Sequence, residues 1–507
     1  MEYFLIIDAG TSSIKIFAYD DMGNIIKKVV KEISPVFPRP GWVEQDPIKY
    51  WENILDGIDE ILNDFGRPLA VGITNQRATT VIWDKDSGEP LYNMITWQDA
   101  RALNVAEELS NKSIIRLGRL IGKTAYFFTR ILKSLGGSRK IKYLITLAYF
   151  KFGCNQPAIH LRWLMDNVNE VSRGIRSGNA LFGTLDSWII WKFLKIHVTD
   201  YTNASATGLF DPFSVKWSET IVKILDIPRK ILPKIVDSMK FLGRSKHILN
   251  SPVTAVIADQ QSSLYSAGGV KRGSAKITNG TGTFIDINVG NKPAPALKGT
   301  YPMIAIKSGR YTGYLIEGIV QSTGSAVDWL VNIGLLSHPS EASRVSEMIK
   351  DSFGITFIPT LAGIGTPYWI NSLRGSIFGL SLGARREHLV RALLEGIGYR
   401  ITSVIKIIEE ITNISVNDII ADGNASRHDF LLKIIASLSG KNIYRVKNLD
   451  GTSRGAFLLA RGVIRKLNVK DAWIPPKIEK KFTPDRKIKF NADLWRKMLN
   501  TILSIEV

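Results

Sequence analysis

Phe4 to Ile7 is an unbroken apolar run closed by Asp8, the pattern of a strand buried on both faces. Ile14 to Tyr19 reads as a second strand, and Asp21-Met22-Gly23-Asn24 as a turn into a third. Asp46-Pro47 then supplies a capping carboxylate followed by a first-turn proline. Ile48, Trp51, Ile54, Leu55, Ile58 and Ile61 follow at helical spacing, which predicts a helix with one face on a core. Leu69 to Ile73 and Thr80 to Trp83 return to strand, so the first part of the chain is an α/β lobe.

The second half repeats part of this design. Ser274 to Thr278 and Phe284 to Val289 are strands on either side of Asn279-Gly280-Thr281-Gly282-Thr283. The same order, an apolar strand, a Gly-Thr turn and a returning strand, runs from Ile6 through Gly10-Thr11-Ser12-Ser13 to Ile14. Two lobes of one type, each presenting one such turn, are the simplest architecture. The expected junction lies near residues 248–254, at Ile248-Leu249-Asn250-Ser251-Pro252, giving lobes of 1–250 and 251–507.

Composition changes this picture little. The chain has 507 residues, 45% hydrophobic and 22% charged, as in ordinary globular proteins. Lys and Arg exceed Asp and Glu by 20 charges. No nucleic-acid reading module accompanies that excess, so a Lys-rich surface that also suits anionic nucleotides is the expectation, with no nucleic-acid partner. Cys154 is the only cysteine, which fits a reducing cytoplasm. The start of the chain carries no basic lead or long apolar run, and no stretch is long enough to span a membrane. Residues 116–151 stand apart, with nine Lys or Arg, no Asp or Glu, and many apolar residues. They read either as a pair of surface helices covering the lobe or as an insertion for peripheral membrane or partner contact.

Phosphate binding needs backbone N–H groups turned toward one point, and glycine permits that geometry. Either Gly-Thr turn alone is equally an ordinary hairpin. The matched pair points to phosphate contacts from Thr11, Ser12, Ser13 and Thr281. Asp8 is a candidate for Mg²⁺, an ion that takes few carboxylates and keeps several waters. Lys15 either reaches a phosphate or lies on the surface. Asp259, after the apolar run Val253 to Ile257, either takes a proton from a substrate hydroxyl or caps the next helix. Arg77 offers a fork for two neighbouring hydroxyls, and Trp97 a flat apolar wall or a core tryptophan.

These residues fall in segments that resemble the FGGY carbohydrate kinase family, and within it glycerol kinases. The resemblance is carried by Gly72-Ile73-Thr74-Asn75-Gln76-Arg77, by Pro40 to Pro47, by His197 to Ser205 and by Asp259-Gln260-Gln261. A C-terminal run with Gly375, Ile377, Gly379-Leu380, His388-Leu389, Ala392 and Glu395 adds to it. It implies two actin-like, ribonuclease H-like lobes with a central cleft that takes ATP, Mg²⁺ and a small polyol, and a chain that forms homo-oligomers. It implies Asp259 as the catalytic base and Arg77, Trp97 and Gln260 as the polyol site. Thr11, Ser12, Ser13 and Thr281 would meet phosphates, Asp8 Mg²⁺, and Gly324, Gly423 and Asn424 the nucleoside. Four departures stand out. Ala78 replaces a glutamate, Asn424 a glycine and His428 an asparagine, while Asn155 and His160 break the pattern before Trp163. The substrate-site tyrosine is either Tyr126 or Tyr149.

Overall fold

The computed structural model describes residues 2–131 and 138–505, and two large sheets organise them. The first has six strands in the order Met239–Ser245, Ser251–Ala258, Ala70–Asn75, Phe4–Ala9, Ser13–Tyr19, Ile25–Glu32. The second has seven, in the order Ile478–Phe482, Asn442–Val446, Asp418–Asp422, Ala275–Asn279, Thr283–Gly290, Tyr311–Val320, Tyr301–Ser308. Six strands correspond one to one, and the second sheet adds Tyr301–Ser308 at one edge. In each, a central strand pairs antiparallel with the strand after its Gly-Thr turn, and on its other side runs parallel to two further strands. An antiparallel edge strand follows in both. The duplication legible in two short turns therefore extends across whole sheets.

Local sequence explains the elements. Phe4–Ala9, Ala70–Asn75 and Ser251–Ala258 are buried along their full length, as neighbours in a sheet covered on both faces must be. The helix Pro47–Phe65 starts where Asp46 accepts the N–H groups of Ile48 and Lys49, and it stops at Gly66, in the left-handed region at φ 68°. Tyr50, Trp51, Ile54, Ile58 and Ile61 are its buried face.

The expected junction needs a correction. Ser251–Ala258 was expected to open the second lobe but pairs in parallel with Ala70–Asn75 inside the first sheet. Its apolar run satisfies its backbone there, and the chain changes sheet only after the helix Asp259–Gly268. The second half also returns: the helix Gly451–Ile464 packs against Phe4–Ala9, Ala70–Asn75, Ser251–Ala258 and Asp259–Gly268. The two lobes thus share one helical seam beneath the cleft.

The described part of residues 116–151 lies chiefly in two packed helices, an outer one, Ser113–Ile131, and an inner one, Arg139–Tyr149, here called the hairpin. Lys133, one of the nine basic residues of 116–151, lies outside the described residues. The inner helix spans the cleft: Tyr143 lies 3.4 Å from the Ser218 hydroxyl of the first lobe, while Thr146 accepts the Ala296 N–H and Lys142 donates to Pro293 O of the second. The outer helix leaves Ile114, Leu117, Leu120, Ile121, Phe127 and Phe128 exposed. No helix among the described residues is long and apolar enough to cross a membrane.

Candidate active site

Two strand ends of the first sheet point their next residues into the cleft. Ala70–Asn75 ends before Gln76 and Arg77, and Ser251–Ala258 before Asp259 and Gln260. The His197–Ser205 segment braces both. The Thr202 hydroxyl accepts the Ala258 N–H at 2.8 Å, and Asn203 exchanges amide hydrogen bonds with Asn75. Asp200 accepts the N–H groups of Thr202 and Asn203, which fixes that brace. A buried amide pair of this kind holds a geometry because either partner alone would be left unsatisfied.

The cleft contains a cavity of about 370 Å³. Thr11, Arg77, Ala78, Trp97, Asp259, Gln260, Thr278 and the Gly280-Thr281-Gly282 turn line its polar side. Thr11 and Thr281, from opposite lobes, therefore face one cavity, and Asp259 faces it too. Thr11 is held firmly: its hydroxyl donates to Gln76 at 2.7 Å and accepts the Trp97 indole N–H at 3.0 Å. Trp97 is thus a hydrogen-bonded wall of the site rather than a core residue.

Arg77 is the electrostatic centre. Its Nε lies 3.3 Å from Asp259 and its Nη2 lies 2.7 Å from Glu317, with Phe284 beneath the guanidinium at 5.4 Å. Burial disfavours the Arg77 charge, but Glu317 and Asp259 outweigh it. Burial also raises Asp259 above the ordinary carboxylate range, while Arg77 pulls it back. That balance leaves a carboxylate readier to accept a proton than one in water. Glu317 is raised by burial against the pull of Arg77. Beyond it, fully buried Lys276 pairs with Asp286 at 2.9 Å and donates to Gln260.

Asp8, next to last in the strand Phe4–Ala9, does not line this cavity. Burial pushes it up to about 6, against the attraction of Lys15, and its Oδ2 accepts the Thr452 hydroxyl. Lys15 is turned to Asp450 at 3.0 Å, so its charge is committed to the opposite half of the chain. Ser12 and Ser13 follow Thr11 but do not line the cavity. On the other side, Gly324 and Gly423 crowd the second turn. A Cβ on Gly324 would meet Gly280 O at 2.5 Å, and one on Gly423 would meet Asn279 O at 2.5 Å. Asn424 is exposed beside them. This close backbone cradle fits a nucleotide whose phosphates lie on the Gly280–Gly282 turn.

Some expected and unexpected residues change places. Tyr126 and Tyr149 pack on each other with ring centroids 5.7 Å apart and neither lines the cavity. Tyr143 lines it instead, because the register of the inner helix turns Tyr143, Thr146, Leu147 and Phe150 inward. His160 is fully buried, lowered to about 4 by burial, and bonded to Thr80, a core histidine. Asn155 lines the cavity. Glu317, Met303, Phe284 and Tyr301 were missed. A signal for Glu317 existed: a lone carboxylate in the apolar strand Tyr311–Val320, opposite Asp286 in the adjoining strand.

Known proteins share this arrangement. Residues 3–133 and 122–264 match the N-terminal domain of the FGGY family of carbohydrate kinases, and residues 275–461 match its C-terminal domain. The two N-terminal matches overlap at residues 122–133, chiefly in the outer helix of the hairpin. An uncharacterized sugar kinase of Archaeoglobus fulgidus is 36% identical over 505 residues, 99% of both chains. A glycerol kinase of Fusobacterium nucleatum is 35% identical over 96% of this chain and 95% of its own. Plasmodium falciparum glycerol kinase, solved with ADP, superposes with a TM-score of 0.83 at 29% identity, over 100% of this chain and 97% of its own. A xylulose kinase of Lactobacillus acidophilus has a TM-score of 0.83 at 21% identity over 100% of this chain and 98% of its own, a likeness of fold alone. With both halves of the chain matched and the duplicated sheets around one cleft, this protein belongs to the FGGY family of carbohydrate kinases.

Proposed function

We propose that the chain transfers the γ-phosphoryl group of ATP to a primary hydroxyl of a small polyol, with glycerol yielding glycerol 3-phosphate as the first candidate. The observation that carries this reading is the single cavity shared by Thr11, Thr281, Arg77 and Asp259. In the transfer, the bond between the γ-phosphorus and the β,γ-bridging oxygen breaks as the substrate oxygen bonds to that phosphorus. Asp259 takes the hydroxyl proton, and ADP leaves with the bridging oxygen. Arg77 holds Asp259 in its charged form and orients it. Trp97 and Thr11 form the wall against which the alcohol lies, and Gln260, gripped by Lys276, is the remaining polar contact. The Gly280–Gly282 turn supplies the phosphate N–H groups, with Gly324, Gly423 and Asn424 toward the nucleoside. Asp8 is the carboxylate that would hold Mg²⁺, which supplies charge neutralisation on the phosphates when bound; one carboxylate suffices for an ion that binds chiefly through phosphate and water.

A second reading, a kinase for a differently shaped polyol or sugar, is favoured by Ala78, which lines the cavity where the family resemblance places a glutamate. ADP release measured over a panel of polyols tests both. Asp259→Asn is expected to lower kcat by about a hundredfold or more while ADP still binds. Retained turnover would overturn the assignment of the base. Ala78→Glu, which adds a carboxylate acceptor to the cavity wall, is expected to raise glycerol turnover.

A further inference from the structure

We infer that the substrate is an amphiphilic alcohol, a hydroxylated head carrying an apolar chain, held against the inner helix of the hairpin. The inference rests on the kinase reading above and names its substrate class. The cavity has two unlike sides. Its polar side is made by strand ends and turns: Arg77, Asp259, Gln260, Thr11 and Thr281. Its other side is made by the inner helix and residues 206–221, which contribute Leu147, Phe150, Phe210, Pro212, Phe213 and Ile221.

Most polar atoms on that second side are already engaged; the exception is Gln156 Oε1 beside Gly208, which is buried and has no hydrogen-bond partner among the described residues. The Thr146 hydroxyl accepts the Ala296 N–H at 3.0 Å, and the Ser218 hydroxyl accepts the Ile221 N–H at 3.3 Å. The Tyr143 hydroxyl lies against Ser218, and the Ser205 hydroxyl donates to Thr202 O. A polyol with hydroxyls along its whole length would leave several of them facing methyl and aryl groups. An alkyl chain would lose nothing there and would leave water. The head needs only Arg77, Gln260 and Asp259, which also accounts for a site that does without a carboxylate at Ala78. The wall is pinned to both lobes through Ser218, Pro293 and Ala296, so it is a built surface and not a loose flap. The outer helix packed behind it exposes Leu117, Leu120, Ile121, Phe127 and Phe128, an apolar surface suited to a substrate that partitions into lipid. The chemistry is unchanged: the free primary hydroxyl of the head gains the phosphoryl group, its proton passes to Asp259, and ADP leaves.

The test uses wild-type protein, MgATP, and glycerol beside its ethyl, butyl, hexyl and octyl mono-ethers below their micellar concentrations, with ADP release and the mass of the phosphorylated product as readouts. kcat/KM is expected to climb by roughly threefold per added methylene until the wall is covered. Leu147→Trp, which fills that wall, is expected to reduce the octyl-ether-to-glycerol ratio of kcat/KM by at least about tenfold. A kcat/KM that stays flat or falls with chain length, with glycerol turned over, would overturn this inference and leave the kinase reading standing. No alcohol-dependent ADP release from any member of the series would overturn both.

Discussion

The two Gly-Thr turns share a backbone plan and differ in what holds them. The first is clamped by its own protein. Thr11 is bonded through its hydroxyl to Gln76 and Trp97, and its carbonyl accepts the Gln45 amide. Gln76 in turn donates to Gln45, closing the network. The second leaves its central hydroxyl free of such a clamp: the Thr281 carbonyl accepts the N–H groups of Thr323 and Ser325 and the Ser325 hydroxyl, Thr283 ties Asn279 to Thr323, and the Thr281 side chain stays exposed. A turn whose hydroxyl is spent on neighbours serves as a positioned wall, whereas one with an outward hydroxyl and close-packed glycines serves as a receptor for an anion. On the function proposed above, the same motif, doubled with the sheets, is divided between the alcohol side and the nucleotide side.

Four substitutions break or sharpen this division. The largest effect is expected at Asp8, beside the first turn. Its folded-state pKa is raised to about 6 from 3.8, so its ionisation opposes folding and stability is lost as pH rises from about 4 through 6. Asp8→Asn is therefore expected to be more stable above pH 6 by up to roughly 3 kcal/mol, read from denaturant midpoints at pH 4 and pH 7. The same protein is expected to lose the pH dependence of MgADP binding that Asp8 ionisation imposes, while metal-free ADP binds as before. An unchanged stability profile would remove Asp8 from the first turn's electrostatics.

Next comes Gly282→Ala at the second turn. Its Cβ would stand 2.6 Å from Val320 O and 2.9 Å from Gln321 O, so backbone must move. ADP affinity by calorimetry is expected to fall by about a hundredfold, or roughly 2.7 kcal/mol. Native-like ADP affinity would show that the second turn is not the phosphate receptor. Trp97→Phe removes one hydrogen bond to Thr11 and should cost roughly 1 kcal/mol, about fivefold in kcat/KM for the alcohol, with ADP affinity unchanged. A loss confined to ADP would reverse the roles of the two turns. The smallest effect is at Ala78, held at φ 57° in a region L-residues avoid. Ala78→Gly is expected to stabilise the fold by about 0.5–1 kcal/mol, measured by thermal unfolding, and a destabilised protein would mean that the Ala78 methyl packs usefully in the cavity.

Much of the site was legible because its chemistry sits at strand ends. Asp259 after Val253–Ile257 and Arg77 after Gly72–Asn75 are polar residues closing apolar runs, and such residues emerge together wherever parallel strands end side by side. The same logic failed for the lobe boundary, since an apolar strand carries no label for the sheet it joins. It failed again for Tyr126 and Tyr149, because the packing of the two helices on each other and on both lobes decides which face looks into the cavity, and no local pattern states that packing.

The amino-acid sequence by itself determined the α/β elements, the doubled Gly-Thr turn and the family. Each follows from short-range pattern: burial period, turn chemistry and the order of motifs. Tertiary structure alone decided that Ser251–Ala258 belongs to the first sheet, that Arg77 is shared by Asp259 and Glu317, and that the basic hairpin closes the cleft with an apolar wall. Those contacts join residues up to hundreds of positions apart, and which of many chemically similar partners meet is set by packing of the whole chain, not by any local run of residues.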